Sequence, residues 1–324
     1  SEDGRTEIEF RTNEHGLRNA PIDGKTPRRK ILGLGDSFLF GEGVPQQEAM
    51  MDRMQTFLDE RFPGRFQTIN AGVPGYSTNQ EILYYLDRGE PLLDPEVVIL
   101  FFYVNDVALY VRDFKTARYH FGIPVPDMIE DMAGFRNRGV RSETLKFVRY
   151  WNGKLAGKKD GGGDASTRKT PFLALEPQVF NRQWTASINN RFFNLQYMLN
   201  VLKDKTRASG AKLMIVYVPS SREAEEGPSR EMCYTDFAYP ASSWDWDIPS
   251  REIERICRRL GIKFVNLIPA FRERRQSTGQ SLFINRQGHF TSEGHRLAAE
   301  ICSEELIRPM SETSALGASE TLTR

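Results

Sequence analysis

Ile31-Leu32-Gly33-Leu34-Gly35-Asp36-Ser37-Phe38-Leu39-Phe40-Gly41-Glu42-Gly43 carries the most informative change of pattern in the chain. It opens as a short apolar run, breaks at glycine and places one serine directly after an acidic residue. That is the pattern of a buried strand giving way to a turn and a helix. At the carboxyl edge of a parallel strand the backbone leaves the sheet, so a side chain there faces a crevice instead of a packed layer. Ser37 is therefore a candidate nucleophile, provided that the rest of the chain brings it a base and an oxyanion site.

Outward from this stretch, apolar runs and helical spacings alternate. Strands are expected over 30–34, 66–70, 97–102, 212–218 and 263–267, and the uninterrupted Val97-Val98-Ile99-Leu100-Phe101-Phe102 suits a strand covered on both faces. Helices are expected over 47–61, where Met50, Met51, Met54, Phe57 and Leu58 recur near helical spacing, and over 190–209, 250–260 and 292–306. Ser77 and Gln80 fit a capping box for a further helix carrying Ile82, Leu83 and Leu86. Five strands alternating with helices predict a doubly wound parallel α/β sheet of three layers, α/β/α, with insertions after strands three and four. The expected organisation is a polar arm over 1–29, in which residues 13–18 are turn-like, one domain over 30–308, and a Ser/Thr-rich disordered tail over 309–324. Within the domain, 107–185 reads as a lid-like insertion with a Gly-rich loop at 158–164, and 219–247 as a second insertion.

Composition narrows the function classes. The 324 residues are 39% apolar and 27% charged, enough for a substantial core, and 44 basic against 43 acidic residues give a net charge of +1. Nothing in that balance points to nucleic acid or a membrane surface, and the clusters at 28–30 and 272–275 read as solvated faces. Cys233, Cys257 and Cys302 form no metal pattern; a Cys233–Cys257 bridge and three unpaired thiols both fit, the second better. No apolar run reaches the roughly 18 residues of a membrane span. A chain starting at Ser1 is compatible with a removed targeting or anchor segment, which is the one expected link to a membrane and suggests a periplasmic or otherwise extracytoplasmic setting. Gly33-x-Gly35 fails as a dinucleotide fingerprint at Phe38, and no phosphate-loop lysine or metal-ligand spacing follows.

What converges on the strand ends is a different chemistry. Gly35-Asp36-Ser37 follows strand one, Asn70-Ala71-Gly72-Val73-Pro74-Gly75 strand two, Tyr103-Val104-Asn105-Asp106 strand three, and Gly288-His289-Phe290-Thr291-Ser292-Glu293-Gly294-His295 precedes the last helix. A hydroxyl, an imidazole and hydrogen-bond donors on one rim are the requirements of acyl transfer. In these four blocks the chain resembles the SGNH hydrolases, the GDSL esterase/lipase family, and the resemblance covers nearly the whole length. It implies a flavodoxin-like fold, no cofactor or metal, Ser37 as nucleophile, His289 as base and then acid, and an oxyanion hole built from the N–H groups of Ser37 and Gly75 and the side-chain amide of Asn105.

Two positions depart from the family pattern. Tyr103 stands where a glycine is usual, which should narrow the pocket near Asn105. The aspartate usual two or three residues before the histidine is replaced by Gln287 and Arg286. Gln287 is thus the candidate to orient His289, and it cannot stabilise an imidazolium as a carboxylate would. A Ser-His dyad, an acid relocated from elsewhere, such as the 236–247 region, and an impaired site all fit the sequence. The expected substrate is an ester of a small acyl group such as acetyl, on a small molecule, a carbohydrate or a cell-envelope polymer. An O-acyltransferase using the same serine and a binding protein on the same scaffold are the alternatives. Trp244 and Trp246 read either as a sugar or acyl platform or as loop packing; His15, His120 and His295 read as surface, lid or structural residues, with His120 able to face substrate.

Overall fold

The computed structural model describes residues 8–22, 29–108, 117–125, 178–226, 230–231, 240–284 and 288–320, the last twelve as backbone only. Five parallel strands form the central sheet: β1 (Arg29–Gly35), β2 (Phe66–Gly72), β3 (Val97–Tyr103), β6 (Lys212–Val218) and β7 (Lys263–Asn266). Their order is β2-β1-β3-β6-β7, so the connection direction reverses at β1, between β2 and β3. A ligand crevice is expected at that reversal, beyond the carboxyl ends of the strands. Two short strands, β4 (Tyr119–His120) and β5 (Ile123–Pro124), pair as a separate hairpin.

Alternation along the strands builds the three layers. Val98, Leu100 and Phe102 face one core, with Leu32, Leu34, Ile215 and Tyr217. Ile99, Phe101, Met214, Val216 and Val218 face the other, with Ile31. The first core is closed by α3 (Thr78–Tyr84), α5 (Ala186–Ala208) and α7 (Ile248–Leu260). The second is closed by α2 (Met50–Arg61), α8 (Ile268–Thr278) and α9 (Ser292–Glu320). Because β3 buries both faces, it reads in sequence as a continuous apolar run. The doubly wound sheet and the capping box at Ser77 and Gln80 are as expected.

Other expectations change. Residues 268–278 form a helix that the sequence did not suggest, because only Ile268 and Phe271 of it are buried. The last helix continues past 306 to Glu320, so 309–320, expected as disordered tail, extend it. Arg272 and Arg274 are not a solvated face: Arg272 bonds both carboxylate oxygens of Asp247 and the Glu223 carbonyl, and Arg274 pairs with Glu293. Cys257 and Cys302 are buried free thiols. Cys233, most of the 107–185 insertion with its Gly-rich loop, and Gln287 lie outside the described residues. Among the described residues no helix is long and apolar enough to cross a membrane.

The amino-terminal arm is built into the domain. Arg18 is buried, and its guanidinium donates to the carbonyls of Phe40 and Gly41 at 2.8 and 2.6 Å and of Val44 at 2.7 Å. It lies against the rings of Phe10 and Phe40, and burial brings its pKa down to about 10, with Asp52 opposing. Next to it, Asn19 accepts from the Asn70 backbone N–H at 2.6 Å. Hydrogen bonds to a buried charged donor are worth about 1.5–3 kcal/mol each, and the three carbonyls are left without Arg18 when it is removed. Arg18→Met should therefore lower unfolding stability by roughly 3 kcal/mol, read as a fall in the urea midpoint at an unchanged slope.

Candidate active site

Ser37 is placed by the way β1 ends. Asp36 caps the short helix α1 (Ser37–Phe40), accepting the Phe38 N–H at 2.9 Å. As the first helical residue, Ser37 has no helical partner for its own N–H. Helix α1 presses against the end of β2 so closely that a Cβ on Gly72 would sit 2.4 Å from the Phe40 nitrogen. Asn70 pins the same junction, donating to the Leu39 carbonyl at 2.9 Å and accepting from the Gly72 N–H.

Gly75 follows in a tight turn. The Tyr76 N–H bonds the Val73 carbonyl at 3.0 Å, with Pro74 second and Gly75 third at φ +79°, a type II turn in which the third position favours glycine. The turn bond uses the Tyr76 N–H and leaves that of Gly75 outside it. Asn105 enters from the turn after β3. Its amide donates one N–H to Asp36 at 3.0 Å, so the carboxylate fixes the amide's orientation and the second N–H remains to serve a ligand.

His289 arrives from the far end of the chain on a narrow loop. The Ile284 N–H bonds its carbonyl at 2.7 Å, Thr291 N–H bonds Leu282, and Phe283 bridges Phe290. Phe290 is fully buried among Phe38, Phe271 and Phe283, with ring centroids 4.9, 4.8 and 5.4 Å away. This aromatic cluster carries His289, whose ring lies 5.1 Å from that of Phe38. The outcome is a 2.8 Å contact between His289 Nε2 and Ser37 Oγ. Among the described residues nothing accepts from Nδ1. The Glu42 carboxylate stands 3.8 Å from Nε2.

The structure thus brings Ser37 and His289 into contact and binds Asn105 to the residue before Ser37; Gly75 lies on the neighbouring strand-end turn. Sequence reasoning missed Glu42, Arg18 and the aromatic support of His289. Glu42 was within reach of it, five residues after Ser37 in the same quoted stretch. Tyr103 packs its ring 4.3 Å from that of Phe38. Trp244 is buried in the first core, and Trp246 lies parallel to it at 5.8 Å with Arg230 over its ring, which fits loop packing and not a bare platform. His120 pairs with Asp87 at 3.0 Å.

Below the site the electrostatics are unusual. Burial raises the Asp36 pKa to about 6, against the Phe38 and Asn105 hydrogen bonds. Burial, and then repulsion by neighbouring carboxylates, pushes Glu81 and Asp106 well above the usual range. Among the described residues no three His, Cys, Asp or Glu side chains are placed to hold a metal ion.

A sequence profile of the GDSL-like lipase/acylhydrolase family matches residues 34–297, most of the chain. The chain belongs to that family. It is thereby placed among the ester hydrolases as a class, and its parallel sheet flanked by helices is the fold of that family. Comparison with curated proteins by sequence gives no match. Solved structures similar to this GDSL-family chain include a lipase/acylhydrolase from Enterococcus faecalis, 13% identical, covering 86% of this chain and 95% of the other at a TM-score of 0.46. They also include TesA, 12% identical over 87% and 99% at 0.45. A third is a catalytic mutant of Axe2, an acetylxylan esterase from Geobacillus stearothermophilus, 12% identical over 84% and 91% at 0.45.

His295 supplies a test of the site's surroundings. It is fully buried, with neither ring nitrogen bonded among the described residues, and burial brings its pKa down to about 3, with Arg18, His289 and Arg53 acting in the same direction. A depressed histidine adds stability that is present above its unfolded value and is lost as the pH falls toward its folded one. Between pH 7 and pH 4 the wild type should lose about 3 kcal/mol that His295→Leu does not lose, measured as the difference between their urea midpoints at the two pH values.

Proposed function

We propose that the protein is a serine ester hydrolase that removes a small O-acyl group, such as acetyl, through an acyl-Ser37 intermediate. The observation that carries this reading is the 2.8 Å contact between Ser37 Oγ and His289 Nε2 in a chain of this family. As Oγ bonds to the acyl carbon, its proton passes to Nε2, and the carbonyl oxygen takes up the negative charge. The N–H groups of Ser37 and Gly75 and the free N–H of Asn105 are the donors for that oxygen. When the tetrahedral adduct collapses, the carbon–oxygen bond to the alcohol breaks and the alcohol oxygen takes the proton from Nε2. Water then repeats the sequence on the acyl-enzyme, again losing its proton to Nε2, and the acid leaves.

The small acyl group is supported by Tyr103, which stands where the family usually has a glycine and packs its ring against that of Phe38, itself 5.1 Å from the His289 ring. A carbohydrate or cell-envelope polymer as the carrier of the ester is supported by the length of the two insertions, which leave the sheet at the carboxyl ends of β3 and β6.

The test is incubation with p-nitrophenyl acetate. Wild type should turn it over and show an acetyl adduct by intact mass, while Ser37→Ala and His289→Ala should each lose at least about 10³-fold in kcat. Equal background turnover in all three, without an adduct, refutes the reading. Asn105→Ala should cost about 10²–10³-fold in kcat. Gln287→Asp, which restores an acid at the family's usual place, should raise kcat by at least about tenfold.

A further inference from the structure

The charge that develops during the reaction has no obvious counterpart. While it holds the Ser37 proton, His289 is a cation with 17% of its side chain exposed, and among the described residues its Nδ1 meets no acceptor. In serine hydrolases generally, a carboxylate on that nitrogen both orients the imidazole and balances its charge. Among the described residues three other charged or titratable groups face His289, each from a different element. Asp36, at the end of β1, already accepts from the Phe38 N–H and the Asn105 amide. His295, on α9, is buried and uncharged at neutral pH. Glu42, just after α1, has no other partner among the described residues and lies 3.8 Å from Nε2.

The position of Glu42 is fixed by its backbone. Gly41 turns the chain in the left-handed region, and the N–H groups of Gly41 and Glu42 both donate to the Ser37 carbonyl at 3.1 Å. Arg18 then holds the carbonyls of Phe40, Gly41 and Val44. The backbone that carries Glu42 is consequently held beside the nucleophile by two independent sets of bonds. At 3.8 Å the carboxylate is beyond hydrogen-bond length, so it leaves the Nε2 lone pair to the Ser37 hydroxyl. It is still close enough for a direct charge–charge interaction once Nε2 is protonated.

We propose that Glu42 is a further catalytic residue, whose carboxylate balances the His289 imidazolium from its Nε2 side and supplies the charge that an acid on Nδ1 would otherwise supply. This rests on the reading of Ser37 as an acyl-accepting nucleophile. Glu42 takes up no proton in this scheme: the proton moves from Ser37 to Nε2 and on to the alcohol, and in the second half from water to Nε2 and on to Ser37. Because 42% of the Glu42 side chain is exposed, its effect is screened by solvent and by salt.

The experiment compares wild type, E42Q, E42D and Ser37→Ala with p-nitrophenyl acetate, and follows the labelling of Ser37 by a fluorophosphonate probe. E42Q should lose about tenfold in kcat with KM nearly unchanged, label more slowly by a similar factor, and show a low-pH limb of kcat/KM displaced to lower pH. E42D, which keeps the charge, should recover most of the loss, and raising the salt should narrow the gap between wild type and E42Q. An unchanged thermal midpoint in E42Q separates this from a folding defect. Wild-type turnover and labelling that E42Q matches at every pH overturn the role of Glu42 alone. If wild type shows neither turnover nor labelling beyond Ser37→Ala, the hydrolase reading falls and the role of Glu42 falls with it.

Discussion

Ser37 Oγ and His289 Nε2 meet at 2.8 Å although 252 residues separate them in the chain, and the rest of the structure can be understood from what that contact requires. Both partners must be held to a fraction of an ångström by elements that do not move. On the serine side, the constraint is backbone against backbone: the end of β2 lies against α1 with no room for a side chain at Gly72, and Asn70 closes the junction. On the histidine side it is packing. Phe290 lies buried in contact with three other phenylalanine rings, and the residue before it presents its imidazole to the crevice. An interior of this density resists small displacements, so a volume change at Phe271 or Phe283 is transmitted to His289 without touching it.

The carboxylates behind the site obey a different constraint. Asp36, Glu81 and Asp106 are all buried; Asp36 raises the cost of ionising the other two, and Glu81 raises that of Asp106. Only Asp36 has two donors, the Phe38 N–H and the Asn105 amide, and its pKa rises to about 6 even so. The same bond that partly stabilises Asp36 fixes the Asn105 amide. A neutral amide held by a carboxylate has one donor committed and one left over, which suits a group that must wait for a developing negative charge without rotating to find it.

Where the sequence could be read, burial on both faces made it readable. The runs at 97–102 and 213–218 are unbroken apolar stretches because helices cover both sides of the sheet, and the structure extends the first by one residue and keeps the second strand at Lys212–Val218. The four blocks carrying Ser37, Gly75, Asn105 and His289 were legible because each sits at a strand end or before a helix, where local pattern changes. Helix 268–278 was hidden by the same logic: with two buried residues it has no stripe to detect. Arg272 and Arg274 look like solvent-facing charges in a row, since nothing local shows that Asp247 and Glu293, 25 and 19 residues away, are their partners. Arg18 is hidden more deeply, because a charged residue in a polar arm gives no sign that three carbonyls from another segment surround it.

Charge around the imidazole is placed by loop closure, and loop closure depends on the arm. Glu42 faces His289 because α1 ends at Gly41 and the following turn folds back on the Ser37 carbonyl. That turn exposes the carbonyls of Phe40, Gly41 and Val44 to the interior, where they would be costly without a donor. Arg18 is that donor, and its positive charge is tolerable there because the carbonyl dipoles and two aromatic faces surround it. A stretch of sequence before the first strand therefore takes part in the geometry of the site. A substitution at Arg18 is expected to act on the turn that carries Glu42 as well as on folding, and in the role proposed for Glu42 the charge of the family's usual acid, though not its hydrogen bond, comes from the other side of the ring.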